Sequence, residues 1–386
     1  MPHEFIVRHT GKLMRPHSLT SRGRPRIVKP IVALTVASVL MVPVFFHVAQ
    51  SVANDQPSLA KGQSGSEKST SKAVAQRTAR SAAEAHCAAV KASVQDAGFT
   101  DSVSVTCQDG KALITSDTYP DHEMMTGIVG TNEQVPVPAS HYTSPVMLEP
   151  TLGDTPQTRD AALGVAVNGV PIYDYTGGGE MSPGDLSVYQ ASNDTLATQQ
   201  LDACGGHAGR GDDYHYHVKP VCMMDKMKNA GDNPIIGWAF DGYPIYGDDN
   251  PDGSHIAMDV LDVCNGQPDD TFGYRYHTSE QAPYIIQCLM GEVPEAKDLP
   301  RVPPLKAASG DTQADSRGRP AGTPPQGGVE DLVFTQQADG SRSMDYTYHG
   351  EAYYIRYTPT DTPNCYDFET RTVTDGGDVK TGEYCR

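Results

Sequence analysis

The sequence predicts a mainly β fold: a duplicated β domain stapled by disulfides, with a small α/β cap before it and a β-rich tail after it. Three observations predict this. Two hairpin-like stretches recur along the chain, the cysteines fall in neighbouring pairs, and DYHYHVKPVC (213–222) alternates tyrosine with histidine as a strand would.

The chain opens with Arg8, Lys12, Arg15, Arg22, Arg24, Arg26 and Lys29 against the single acid Glu4, followed by uncharged residues to Ala53. With an apolar run from Ile31 to Phe46 and a small-residue site at Ser51-Val52-Ala53, residues 1–53 read as an export signal. Cleavage is the favoured outcome, an uncleaved membrane anchor the other, and Met14 is an alternative start. In both cases the remainder is expected outside the cytoplasm, in the periplasm, the cell envelope or the medium.

The formal charge is −18 for 386 residues, and the leader holds seven bases and one acid, so residues 54–386 sit near −24. Phosphate backbones require a basic surface, so a nucleic-acid partner is not expected, whereas cations are attracted. Membrane contact is expected only through an uncleaved leader.

Residues 54–76 are Ser/Lys/Gly/Gln-rich and are expected to form a disordered tether. An Ala-rich helix follows from Arg77 to Ala97, stopped by Gly98, and then SVSVTC and KALITS read as a hairpin around Gln108-Asp109-Gly110. Residues 77–118 would thus be a helix–hairpin cap. From Pro120 to Arg159 no period is visible, and a surface-hugging segment is expected.

The duplication lies within 119–292. Gly164-Val-Ala-Val-Asn-Gly-Val-Pro-Ile-Tyr173 matches Gly237-Trp-Ala-Phe-Asp-Gly-Tyr-Pro-Ile-Tyr246, each a hairpin around Asn-Gly or Asp-Gly. Downstream, Leu201-Asp-Ala-Cys-Gly-Gly-His207 matches Leu261-Asp-Val-Cys-Asn-Gly-Gln267, and Tyr214-His-Tyr-His217 matches Tyr274-Arg-Tyr-His277, both 60 residues apart. Two such halves are expected to share one core, because a lone hairpin cannot bury its apolar face. Residues 293–328 are Pro/Gly-rich and polar, which predicts a disordered linker; 329–386 returns to strand-like alternation around His349-Gly350.

All eight cysteines lie beyond the leader. The favoured pairing is local: Cys87–Cys107, Cys204–Cys222, Cys264–Cys288 and Cys365–Cys385. Each bridge would close a loop of about twenty residues, worth roughly 3 kcal/mol in the chain-entropy model. No Cys-x-x-Cys pair supports thiolate metal ligation.

On a strand, His215 and His217 share one face at about 6.5–7 Å between Cα atoms, and Tyr214 and Tyr216 take the other. His207, in the glycine-rich Cys204-Gly-Gly-His-Ala-Gly-Arg-Gly, can bend toward them. Three neutral imidazoles leave an open position on zinc or copper. In the second half Gln267 and Arg275 replace two of them, so the first half should carry any metal. The competing reading is a half-buried strand whose histidines bond backbone and whose tyrosines pack. Asp248, Asn250, Asp252 and Asp259 have calcium-loop spacing around Gly253, although Asp259 is shorter than the usual glutamate. His122 and Asp241, with Asp212 and Asp213, are candidates for supporting the imidazoles. No Gly-x-Ser-x-Gly elbow, phosphate loop or His-Glu-x-x-His helix is present.

At CGGHAGRGDDYHYH, with IIGWAFDGYPIYG and GVAVNGVPIY, the sequence resembles the YHYH-domain family of exported bacterial and eukaryotic proteins. The resemblance spans residues 112–291 and includes Pro120-Asp121-His122. It implies that Cys204, His207, Tyr214, His215, Tyr216 and His217 are signature positions, and it implies no activity. The functional expectation is divalent-metal binding through His207, His215 and His217 in an exported protein, with metal-dependent catalysis as its extension. The alternative is a non-catalytic envelope module whose histidines and tyrosines are packing residues.

Overall fold

The computed structural model describes residues 66–294, 296–308 and 322–386. The expected export signal lies outside them, as does most of the tether and the middle of the linker. Among the described residues no helix is long and apolar enough to cross a membrane.

Helix α1 runs Ser66–Ala97, so the final eleven residues of the expected tether are helical instead. Their composition explains it: no glycine or proline interrupts 66–97, and Glu, Lys, Ala and Gln favour helix. The C-terminal half of α1 buries Val90, Val94 and Ala97, and Gly98 ends it at φ +91°. Strands β1 (Ser104–Gln108) and β2 (Lys111–Ser116) form the expected hairpin, Asp109 and Gly110 both taking positive φ. A third strand, β3 (Tyr142–Met147), pairs with β2, so this small sheet recruits part of the segment expected to be irregular.

Strand β4 (Leu152–Gln157) leads into the duplicated sheet. Its members are β5 (Gly164–Ala166), β6 (Pro171–Ile172), β7 (Gly206–Ala208) and β8 (Tyr214–Tyr216) from the first half. After helix α2 (Val221–Lys226) come β9 (Gly237–Ala239), β10 (Pro244–Tyr246), β11 (Gly266–Gln267) and β12 (Arg275–His277) from the second. The order β11-β12-β10-β9-β5-β6-β8-β7 reads as the same four-strand unit in mirror sequence about the β5–β9 pair. There Gly164, Val165 and Ala166 run antiparallel to Ala239, Trp238 and Gly237. Gly164 and Gly237 keep the two backbones close, since a Cβ on either would lie within 2.9 Å of a carbonyl across the ladder. Trp238 also donates its indole N–H to Ser93 of α1 at 2.9 Å, fastening the cap to this sheet. Strand β13 (Leu289–Gly291) closes the second half by pairing with β4.

The expected linker is corrected where it is described. Residues 293–308 bury Val293, Leu299, Val302 and Leu305, and end in β14 (Lys306–Ala307), which pairs with the last strand of the tail. Spaced apolar residues among prolines form an extended, packed strap; composition alone hid their spacing. The tail is an antiparallel meander: β15 (Glu330–Gln336), β16 (Arg342–Tyr348), β17 (Glu351–Pro359), β18 (Cys365–Arg371) and β19 (Val379–Cys385). It packs on 124–139, where Met124, Met125, Ile128, Val135, Val137 and Ala139 are buried, so that segment is core and not surface. Buried Glu133 joins the two, accepting hydrogen bonds from the Tyr346 hydroxyl and from the N–H groups of Val373 (2.7 Å) and Thr374 (2.9 Å).

All four disulfides form with the expected local pairing, and the described cysteines include no free thiol.

Candidate metal centre

Register brings the three imidazoles together. Strands β7 and β8 pair antiparallel, with His207 directly opposite His215 and Gly206 opposite Tyr216. Directly opposed residues project from the same face, and His217, two residues beyond His215, projects there too. Gly205 makes the approach possible. Its φ of +90° closes the turn capped by Asp202, and its carbonyl accepts the His217 N–H at 3.0 Å.

The ring centroids of His207, His215 and His217 lie 4.8 to 5.0 Å apart, and the Nε2 atoms of His207 and His217 are 3.1 Å apart. The three side chains are only 6%, 4% and 2% exposed. His217 Nδ1–H donates to the Asp174 carbonyl, and His215 Nδ1–H to the Asp213 carbonyl at 3.1 Å, with the Asp213 carboxylate 3.4 Å away. His207 holds a backbone hydrogen bond to Gln200. Once Nδ1 carries the proton, Nε2 presents a lone pair. Lone pairs facing one another in a buried space repel unless a proton or cation lies between them. Two imidazole nitrogens on tetrahedral zinc would be about 3.3 Å apart at Zn–N distances near 2.0 Å, which the observed 3.1 Å approaches.

Burial, reinforced by the neighbouring imidazoles, pushes His207 down to about 3 and His217 well below the ordinary histidine value, so both are neutral at pH 7. Burial alone would raise the Asp213 carboxyl. The His215 imidazole 3.4 Å away and the nearby Arg386 guanidinium reverse that and hold it below its usual value, so it faces His215 as an anion. Tyr173 stacks on His215 with centroids 4.0 Å apart. The trio opens onto a cavity of about 580 Å³, a size that suits a small organic molecule.

The tyrosines take the opposite face, as the alternation requires. Tyr214 donates to the Asp202 carboxylate at 2.8 Å, and the Tyr216 hydroxyl accepts from Asn168 Nδ2 at 3.0 Å. His122 reaches that same hydroxyl through Nε2 at 2.7 Å. His122 therefore supports the tyrosine face and not the imidazoles, a correction that only the path of 120–140 reveals. Asp241 is likewise remote from the trio: it stands where Asn168 stands in the first half, taking the Tyr276 hydroxyl and the Gly291 N–H.

The second half repeats the frame and replaces the donors. Gln267 faces Arg275 as His207 faces His215. The Arg275 side chain, 1% exposed, donates to Gln267 Oε1 at 3.0 Å, to Asn250 Oδ1 and toward Asp269 at 3.4 Å. His277 keeps its Nδ1–H bond, to Gly247 at 2.9 Å, while its Nε2 is buried with no partner. A guanidinium thus occupies the neighbourhood where the first half gathers lone pairs.

The calcium-loop residues do not converge. Asp248 pairs with Lys219 at 2.5 Å and with the Thr278 hydroxyl, Asn250 with Arg275, and Asp252 with Ser254 at 2.7 Å. The carboxylates of Asp248, Asp252 and Asp259 form no group able to hold an ion among the described residues; Lys219 takes Asp248, Arg275 takes the Asn250 amide oxygen, and Asp252 turns back on Ser254. The two other convergent groups, around Cys204/Cys222 and Cys365/Cys385, rest on disulfide sulfurs. Among the described residues that leaves His207, His215 and His217 as the convergent group whose donors are all free to ligate.

Sequence reading missed Tyr173 and the carbonyl of Asp174. The repeated Pro-Ile-Tyr was the signal for Tyr173; the Asp174 contact uses backbone and leaves no signal in residue type.

No curated protein and no solved structure matches the chain. Residues 141–255 match the family model described as YHYH protein, a narrower stretch than 112–291. The trio, its backbone acceptors and the central β5–β9 pair all fall inside that stretch, and the chain accordingly carries a YHYH domain.

Proposed function

We propose that this is an exported metal-binding protein, in which Nε2 of His207, His215 and His217 hold one zinc or copper ion and leave a coordination position facing the cavity. The observation that carries the reading is the 3.1 Å approach of two buried, neutral imidazole nitrogens, with the third ring 4.8 to 5.0 Å away. Export is supported by four disulfides, which persist in oxidising compartments. An open position on a three-histidine ion suits a metal-bound water whose pKa falls to about 7, the starting point of metal-assisted hydrolysis, and this is the catalytic extension of the reading.

Metal analysis of purified protein tests it. One equivalent of metal in the wild type, lost in His215→Ala/His217→Ala, is expected. The second reading, a non-catalytic envelope module, draws on the tyrosines, which do pack as core. It prevails if metal content is negligible in both proteins and added zinc or copper leaves thermal stability unchanged.

A further inference from the structure

Two guanidinium groups share the cavity with the imidazoles. Arg210 extends from the glycine-rich loop that carries His207, and Arg301 from the strap 293–308. Room for Arg210 comes from Gly178, where a Cβ would lie 2.5 Å from Nη2. Asp160 meets each arginine at one nitrogen: its Oδ2 is a distant 3.8 Å from Arg210 Nη1, and its carbonyl accepts a hydrogen bond from Arg301 Nη1. Most of the N–H donors on these two side chains therefore have no protein acceptor among the described residues. Of the other acids lining the cavity, Asp174 is held by Thr176, while the Asp213 carboxylate lies 3.4 Å from His215 Nδ1 with its buried Oδ2 free of hydrogen bonds. Tyr173, stacked on His215, lines the same cavity, and the buried Oε1 of Gln134 there has no hydrogen-bond partner. This patch of unspent positive donors is set in a protein of net charge −18.

We propose that the cavity binds a small oxoanion, the phosphate or carboxylate head of a small molecule, with one oxygen on the metal and the others on Arg210 and Arg301. The inference rests on the metal reading above. Guanidinium forks match the paired oxygens of such groups, and a dication beside them removes the repulsion that nearby carboxylates would otherwise impose. Gln134 Oε1 is then placed to accept a hydroxyl of the same ligand.

The test uses protein loaded with Co²⁺, titrated with inorganic phosphate and separately with acetate, and followed by the visible cobalt spectrum and by calorimetry. Saturable spectral change is expected, and Arg210→Gln and Arg301→Gln should each weaken binding about tenfold or more with cobalt stoichiometry unchanged. Both arginines are exposed, so the variants should unfold at wild-type temperature. Saturation by phosphate assigns a phosphate head, saturation by acetate alone a carboxylate. If cobalt binds and neither anion perturbs it, or both variants bind anions as the wild type does, the inference is overturned while the metal reading stands. If no cobalt binds, both fall together.

Discussion

Gly209→Ala is the most selective perturbation of the centre. A Cβ built at Gly209 lies 2.4 Å from Cε1 and 3.3 Å from Nε2 of His215. The glycine's φ is outside the left-handed region, so alanine imposes no backbone strain and the effect is confined to the ring. Carbon–carbon contact needs about 3.5 Å, so the imidazole must retreat by about 1 Å, with Tyr173 stacked at 4.0 Å limiting where it can go. Ligand distances tolerate shifts of only about 0.2 Å, so the ring leaves the ion. Zinc affinity should fall at least 10–100-fold, roughly the loss typical of disturbing a ligand's supports, and the metal-free protein should lose about 1–3 kcal/mol from overpacking. Competition against a chromophoric zinc chelator measures the first and urea denaturation the second. Wild-type zinc affinity in a folded Gly209→Ala protein would refute the geometry on which the centre depends.

Tyr216→Phe should cost about 1–3 kcal/mol in urea, since it strands Asn168 Nδ2 and His122 Nε2, yet leave metal content unchanged; loss of metal would place the tyrosine face in the centre. Acidification should weaken the metal-free fold. His207, His217 and His277 are held below their ordinary value mainly by burial, so the unfolded chain binds more protons below pH 6.5 and stability falls as pH drops. His207 and His277, at about 3 and about 4, each account for a loss of about 2 kcal/mol by pH 5 and His217 adds to it, while Asp174 and Asp241, pushed up to about 6 by burial, return about 1.3 kcal/mol each, so the net change is a loss. Equal urea midpoints at pH 7 and pH 5 would contradict this. Gln267→His/Arg275→His should raise metal stoichiometry from one to two, because His277 already offers a buried, unpartnered Nε2; an unchanged stoichiometry would mean the halves differ in more than their donors.

The trio was legible because a period of two places His215 and His217 on one face whatever surrounds them, and a glycine-rich loop signals a close approach. The disulfides were legible because the cysteines neighbour one another in sequence. What could not be read depends on contacts between distant segments. His122 belongs to Tyr216, 94 residues away, and Glu133 to Tyr346, 213 residues away. The strap at 293–308 carries its four buried residues among prolines and polar groups, where no strand or helix period marks them. The acidic cluster at 248–259 has the spacing of an ion site, and only the fold shows that Lys219 and Arg275 reach it first.

The mirror order of the central sheet bears on why a half without the full donor set persists. Strand β5 is satisfied on one side by β6 and on the other by β9. Without the second half, the hairpin beneath the imidazoles would expose an unpaired backbone edge, open to association with other chains. The copy that carries Gln267 and Arg275 in place of two imidazoles thus works as a permanent dimer partner fused in the same polypeptide, free to differ in its side chains so long as it keeps its ladder.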